Sequence, residues 1–134
     1  MRISRSTGYA LLAVGYIAQH QGKGVILSQT ISKEYDIPLE YLLKILQQLV
    51  RANVLRSKRG PRGGFSLARA PSKITMLQII EAVDGPMTSQ LNLAEQAGRD
   101  KCGARAEKIY GKAIAQAKKV FEKAKLSSLI TGKK

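Results

Sequence analysis

The chain has 134 residues, with 23 Lys plus Arg against 9 Asp plus Glu, a formal net charge of +14. That length holds one domain with a modest core plus one further element, and the charge points to a polyanionic partner such as nucleic acid or an anionic surface. The longest apolar stretch, Tyr9 to Ala18, is interrupted by Gly15 and falls short of the roughly 20 apolar residues of a membrane span.

From Ser6 to Gln21, the apolar residues Tyr9, Ala10, Ala13, Val14, Ile17 and Ala18 recur at three- and four-residue steps, the spacing of one helix face, and Gly22 and Gly24 end the run. The opening MRISRSTGYA lacks a secretory layout, so a cytoplasmic protein with no membrane partner is expected. After Val25-Ile26-Leu27, Ser28 is placed to cap a short helix through Ile31 to Tyr35. Asp36-Ile37-Pro38 is a break, with Pro38 suited to the first turn of a third helix that runs to about Ala52. On that helix Leu42, Ile45, Leu46 and Leu49 share a core face, while Glu40, Tyr41, Lys44, Gln47, Gln48 and Arg51 decorate the rest.

Val54 to Lys58 and Phe65 to Ala68 read as short strands joined by Arg59-Gly60-Pro61-Arg62-Gly63-Gly64, a basic hairpin with a tight turn. Ile74-Thr75 then leads into a helix carrying Met76, Ile79, Ile80 and Val83, which Asp84-Gly85-Pro86 stops. The compact domain is therefore expected over residues 1–86, followed by a flexible loop over 87–103 with at most a helical turn. A long helix is expected over 104–130, its regular part from Ala104 to Leu126, with a disordered tail over 131–134. Residues 1–86 carry twelve basic and five acidic side chains and residues 87–134 eleven and four, so the charge is spread along the chain. In the long helix Ala106, Tyr110, Ala113, Ala117, Val120 and Ala124 alternate steps of four and three, the seam of a two-helix contact, and Phe121, with Ile109 and Ile114, widens the stripe. These residues are the candidate dimer interface. Lys108, Lys112, Lys118, Lys119, Lys123 and Lys125 on its other side read as a solvated face.

The fold class that emerges is mainly α with one small β-hairpin: a winged helix-turn-helix domain plus a long C-terminal dimerisation helix. Such domains lay the third helix in the DNA major groove and bring the hairpin to phosphates or the minor groove. Leu39, Glu40, Tyr41 and Lys44 lie on the first turns of that helix, where Lys44 can donate to a base edge and Glu40 can accept from cytosine. Lys58, Arg59 and Arg62 charge the wing, Arg59 suits a narrow minor groove, and Gly60, Pro61, Gly63 and Gly64 let its backbone approach. Arg2, Arg5 and Ser28 complete the candidate DNA contacts, and Tyr41, Lys44 and Arg59 are the expected source of sequence preference.

The opening MRISRSTGYALLAV, the segment IPLEYLLKILQQLVRANVLRSKRGPRGGFSLAR and ITMLQIIEAVDGP resemble, in that order, the Rrf2 family of bacterial transcriptional regulators, and the resemblance covers nearly the whole chain. The RGPRGGFSL wing is its most specific piece. The resemblance implies a winged-helix homodimer whose long helices cross between subunits and whose third helices and wings read a palindromic operator on double-stranded DNA, and a repressor is the expected role. Iron–sulfur members of the family carry three cysteines in the loop before the long helix. This chain has only Cys102, so a three-cysteine iron–sulfur site is absent and no cofactor is expected.

With Arg99, Lys101 and Arg105 nearby, Cys102 is a candidate redox or ligand sensor, the alternative being an inert exposed thiol. Glu95, Asp100 and Glu107 around it match no strong ligand spacing, so no metal site is expected. His20, the single histidine, has no second histidine to share chemistry and is read as a helix-end residue. No catalytic constellation is present, and a non-enzymatic regulator is expected. The rival readings are an adaptor that regulates a protein by contact and an architectural protein that coats DNA without sequence preference.

Overall fold

The computed structural model describes residues 3–61, 63–88 and 93–132. In chain order these form α1 (Arg5–Gln19), α2 (Ser28–Tyr35), α3 (Leu39–Arg51), β1 (Leu55–Lys58), β2 (Gly64–Leu67), α4 (Met76–Asp84), α5 (Leu93–Ala97), α6 (Lys101–Lys123) and α7 (Leu126–Thr131). Arg2, Arg62, Lys133 and Lys134, named above as DNA contacts or tail, lie outside the described residues.

The helical periodicities become burial. Ala10, Ala13, Val14, Ile17 and Ala18 of α1 meet Leu42, Ile45, Leu46 and Leu49 of α3, all buried, and Ile31, Ile37, Val54, Leu55, Phe65, Ile74 and Ile79 close the same core. The hairpin is antiparallel, with Leu55 opposite Leu67 and Lys58 opposite Gly64. Ile26 adds a third rung: its N–H donates to the Phe65 carbonyl and the Phe65 N–H donates back, both at 2.8 Å. The residues just before α2 thereby clamp the root of the wing against the core.

Several boundaries differ from the sequence expectation. Leu27, extended at φ −73° and ψ 141°, is the N-cap of α2 without a side-chain bond, while Ser28 is inside the helix, buried, and donates to Gln29 Oε1 at 3.3 Å. Pro38 stands one place earlier than expected, as N-cap of α3, and its carbonyl accepts from the Leu42 N–H at 2.9 Å. The helix α4 begins at a capping box that the sequence reading did not use: Thr75 Oγ1 accepts from the Gln78 N–H and Gln78 Oε1 accepts from the Thr75 N–H. Thr75→Ala is expected to cost about 1 kcal/mol of stability, measured by urea unfolding.

The segment expected as a loop over 87–103 contains α5 and the start of α6, because Asp100 accepts the Cys102 N–H at 2.9 Å and caps α6 three residues early. At its other end α6 stops at Lys123. Ala124 and Lys125 are extended and pair with the strand-like Ile74-Thr75 segment, through Met76 N–H to Ala124 O and Leu126 N–H to Ile74 O, both 2.8 Å. These bonds compete with the helix for the same backbone and win because they seat Leu126, 1 % exposed, in the core. Thr131, expected in the tail, ends α7. Ala124 is therefore a cap and no member of a helical seam.

Candidate nucleic-acid interface

Burial of Leu42, Ile45, Leu46 and Leu49 turns the opposite side of α3 outward. At 100° per residue that outward side centres on Glu40, Lys44, Gln47 and Arg51, all exposed, with Leu43 on one flank and Tyr41 and Gln48 on the other. Of the four sequence candidates on this helix, Glu40, Tyr41 and Lys44 reach the surface, whereas Leu39 is half-buried. Gln47 and Arg51, noted only as decoration by sequence reasoning, belong to the centre of the face. The signal for them was present in the same periodicity, counted one and two turns further on.

Tyr41 is held and does not swing free. Its hydroxyl is hydrogen-bonded to Ser6 Oγ of α1, and its ring meets the Tyr9 ring edge to face with centroids 5.7 Å apart. The start of α1 is in turn tied to α4. Asp84 accepts from Ser4 Oγ at 2.6 Å and from the Ser4 N–H at 3.4 Å, while Ser4 caps α1 by accepting the Thr7 N–H. Burial would raise the Asp84 pKa, but hydrogen bonds from Ser4 and Thr7 outweigh it and hold the carboxyl below its ordinary value. Arg5, the first residue of α1, is exposed one position from Ser6.

In the wing, Lys58, Arg59, Gly60 and Pro61 are exposed, and so is Arg56, which the sequence reading passed over. The glycines divide into two roles. Gly60, at φ +103°, forms the turn and has open space where a Cβ would stand. A Cβ on Gly63 would lie 2.3 Å from the Lys58 carbonyl oxygen, and one on Gly64 2.6 Å from that of Ile26. Gly63 and Gly64, grouped at first with the DNA contacts, are thus needed for the chain's own close approach. Buried Ser28 is not a surface donor either, and Gln29 and Thr30 are the exposed residues of that turn.

Along α6 the expected seam straddles two faces. Tyr110, Ala117 and Phe121 are half-buried and Ile114 is buried, on the side that packs on the chain's own domain. Ala106, Ala113 and Val120 face away, with Val120 66 % and Ile109 69 % exposed. Cys102 is exposed in the first turn of the same helix. Among the described residues, Lys118 of α6 and Glu81 of α4 form an ion pair at 3.9 Å. His20 is stacked on Tyr16 with ring centroids 4.0 Å apart and is bonded through Nδ1 to the Tyr16 carbonyl.

The family model described as Rrf2, iron-dependent transcriptional regulator, matches residues 3–131. A Rhodopseudomonas palustris protein named as the HTH-type transcriptional regulator BadM is 38% identical over 106 residues, which are 79% of this chain and 65% of that protein. The HTH-type transcriptional regulator IscR of Cereibacter sphaeroides is 32% identical, over 81% of this chain and 71% of its own length. A relative from Aquifex aeolicus, 41% identical over 60% of this chain, is matched over 56% of its length, so the chain spans little more than half of some relatives. The fold is that of the B. subtilis global cysteine regulator CymR, with a TM-score of 0.83, 23% identity and 98% of each chain covered. It is also that of T. potens IscR, with a TM-score of 0.76, 22% identity, all of this chain and 89% of the other covered.

The iron dependence in the family description meets a donor set that does not fit a thiolate-held cluster here. Cys102 is the one thiol in the sequence, and no three His, Cys, Asp or Glu side chains gather around a common point among the described residues. No helix among them is long and apolar enough to cross a membrane.

Proposed function

We propose, from the premise that this chain belongs to the Rrf2 family of DNA-binding transcriptional regulators, that it represses transcription as a homodimer bound to a palindromic operator. Its relatives regulate transcription and are not enzymes, and this chain shares that class. The observation that carries the operator reading is the outward face of α3. Glu40, Lys44, Gln47 and Arg51 present an acceptor, two cations and an amide side by side, and the described residues engage none of them in an ion pair. Lys and Arg match guanine edges, Gln matches adenine and Glu matches cytosine, so the face has the chemistry of direct major-groove readout. Arg5, Arg56 and Lys58 supply phosphate contacts, and Arg59 at the wing tip reads the minor groove.

The homodimer reading rests on α6. One side of this helix is occupied by its own domain, yet Cys102, Ala106, Ile109, Ala113, Gln116 and Val120 continue at alternating steps of four and three on the exposed side. Such a stripe, with small Ala106 and Ala113 on either side of Ile109, suits a second copy of the same helix. A two-fold dimer would then place two α3 helices in successive major grooves about 34 Å apart. Val120→Lys is expected to shift the chain towards monomer in sedimentation. An unchanged dimer would place the interface elsewhere.

Cys102 lies on the same stripe, so a thiol oxidant would act at the subunit contact and alter the spacing of the two α3 helices. Oxidant-dependent DNA affinity in the wild type and none in Cys102→Ser is the expected pair of results. Equal responses in both remove Cys102 from sensing. The operator reading itself is tested by titrating protein onto labelled promoter DNA in excess random duplex. Retention of a discrete complex supports it, and complete loss to competitor favours an architectural protein.

A further inference from the structure

The cleft between the first turn of α1 and α3 has a volume of about 520 Å3, and its polar lining comes from Ser6, Tyr41, Lys44, Gln47, Gln48 and Arg51. Leu43 and Ile45 complete its wall, and among the described residues no carboxylate lines it. Two cations, two amides and two hydroxyls without an acid make a seat for an anion.

The hydroxyl pair sharpens this. Ser6 Oγ and Tyr41 Oη share one hydrogen bond in which either atom can donate. The pair has two hydrogens and spends one internally, so in both arrangements one hydrogen remains to give outward. If Tyr41 donates to Ser6, Ser6 offers it; if Ser6 donates, Tyr41 does. The Tyr9 ring, edge to face at 5.7 Å, fixes the Tyr41 ring against α1. Tyr41 also stands on the flank of the outward face, about 60° to 120° round the helix from Arg51, Glu40, Lys44 and Gln47. That is the side that meets a groove wall when the centre meets base edges.

We infer that this cleft seats one backbone phosphate of each operator half-site, with the Ser6–Tyr41 pair giving it a hydrogen bond and Arg51 opposing its charge. The inference rests on the α3 reading above and deepens it, since it moves Tyr41 and Arg51 from base reading to a register-setting phosphate contact and leaves base choice to Glu40, Lys44 and Gln47. Tyr9 is then a positioning residue that acts through Tyr41.

The test uses the full chain and operator duplexes in which one phosphate at a time is replaced by a methylphosphonate, which lacks the charged oxygen. In the wild type, one position per half-site facing the cleft is expected to lose about tenfold in affinity, as for a hydrogen bond to a charged group. In the double variant Ser6→Ala/Tyr41→Phe, which removes both hydroxyl donors and keeps the ring and its contact with Tyr9, the loss at that position shrinks to about threefold or less while other positions keep theirs. Tyr41→Phe or Ser6→Ala alone leaves one hydroxyl hydrogen to give and changes the profile less, and the sequence selected from random DNA does not change in any of the three variants. A methylphosphonate profile of the double variant identical to that of the wild type overturns the inference, as does a changed base preference in it. If the wild type shows no position-dependent loss at all, no fixed register exists and the operator reading falls first. Thermal unfolding of each variant separates these outcomes from a loss of fold.

Discussion

Gly64→Val will unfold at markedly lower urea concentration than the wild type, with a loss of about 2 to 4 kcal/mol, the range of substitutions that break buried backbone contacts. A Cβ at this position would stand 2.6 Å from the Ile26 carbonyl oxygen and 2.9 Å from its carbon. Both are backbone atoms and cannot rotate away. Either β2 or the Ile26 segment must retreat, which breaks the two 2.8 Å bonds between Ile26 and Phe65 and lifts Phe65, 6 % exposed, from the core. Because the same strand carries the wing, DNA affinity falls with stability. Gly22→Ala is the matched control: nothing lies within 4 Å of its Cβ, and a change within about 0.5 kcal/mol is expected. Equal midpoints for Gly64→Val and the wild type would mean that the wing root is not clamped as described.

Removing Lys44 and Arg59 together will weaken operator binding by about a hundredfold or more, since each directed contact to a base edge contributes roughly 1 to 3 kcal/mol. The two residues stand on separate elements, exposed on α3 and on the wing turn. Their losses should therefore add, and the preference among related sequences should relax. Lys112→Ala with Lys119→Ala removes the same charge from the exposed side of α6 and is expected to change affinity only slightly. Fluorescence anisotropy at several salt concentrations separates the two pairs. Similar losses in both would show that bulk charge, and no directed contact, governs binding.

The order of helices, the hairpin and the core were readable because each rests on a local signal: a period of 3.6 in α1 and α3, and Gly or Pro at the breaks and in the wing turn. The outward face of α3 follows from the same count, which is why Glu40 and Lys44 stand where expected. What escaped depends on contacts between distant parts of the chain. Ser28 had the right chemistry for a cap, but Leu27 is held extended beside the Ile26–Phe65 rung and takes that place. The repeat in α6 continues to Ala124, yet pairing of Ala124 and Leu126 with the Ile74-Thr75 segment ends the helix. The seam residues Tyr110 and Phe121 could not be divided from Ala113 and Val120 by spacing, because both faces of α6 are apolar at heptad steps. The Ser6–Tyr41 bond spans 35 residues and leaves no mark on either local pattern.

The central claim is that α3 and the wing read a defined DNA sequence in two-fold symmetric form. Its most direct test is to incubate the full chain with a randomised duplex pool at near-physiological salt and sequence what is retained over several rounds. Enrichment of an inverted repeat, with half-sites centred about one helical turn apart or a multiple of it, is the predicted result. Salt-sensitive retention without enrichment of any sequence would contradict the account.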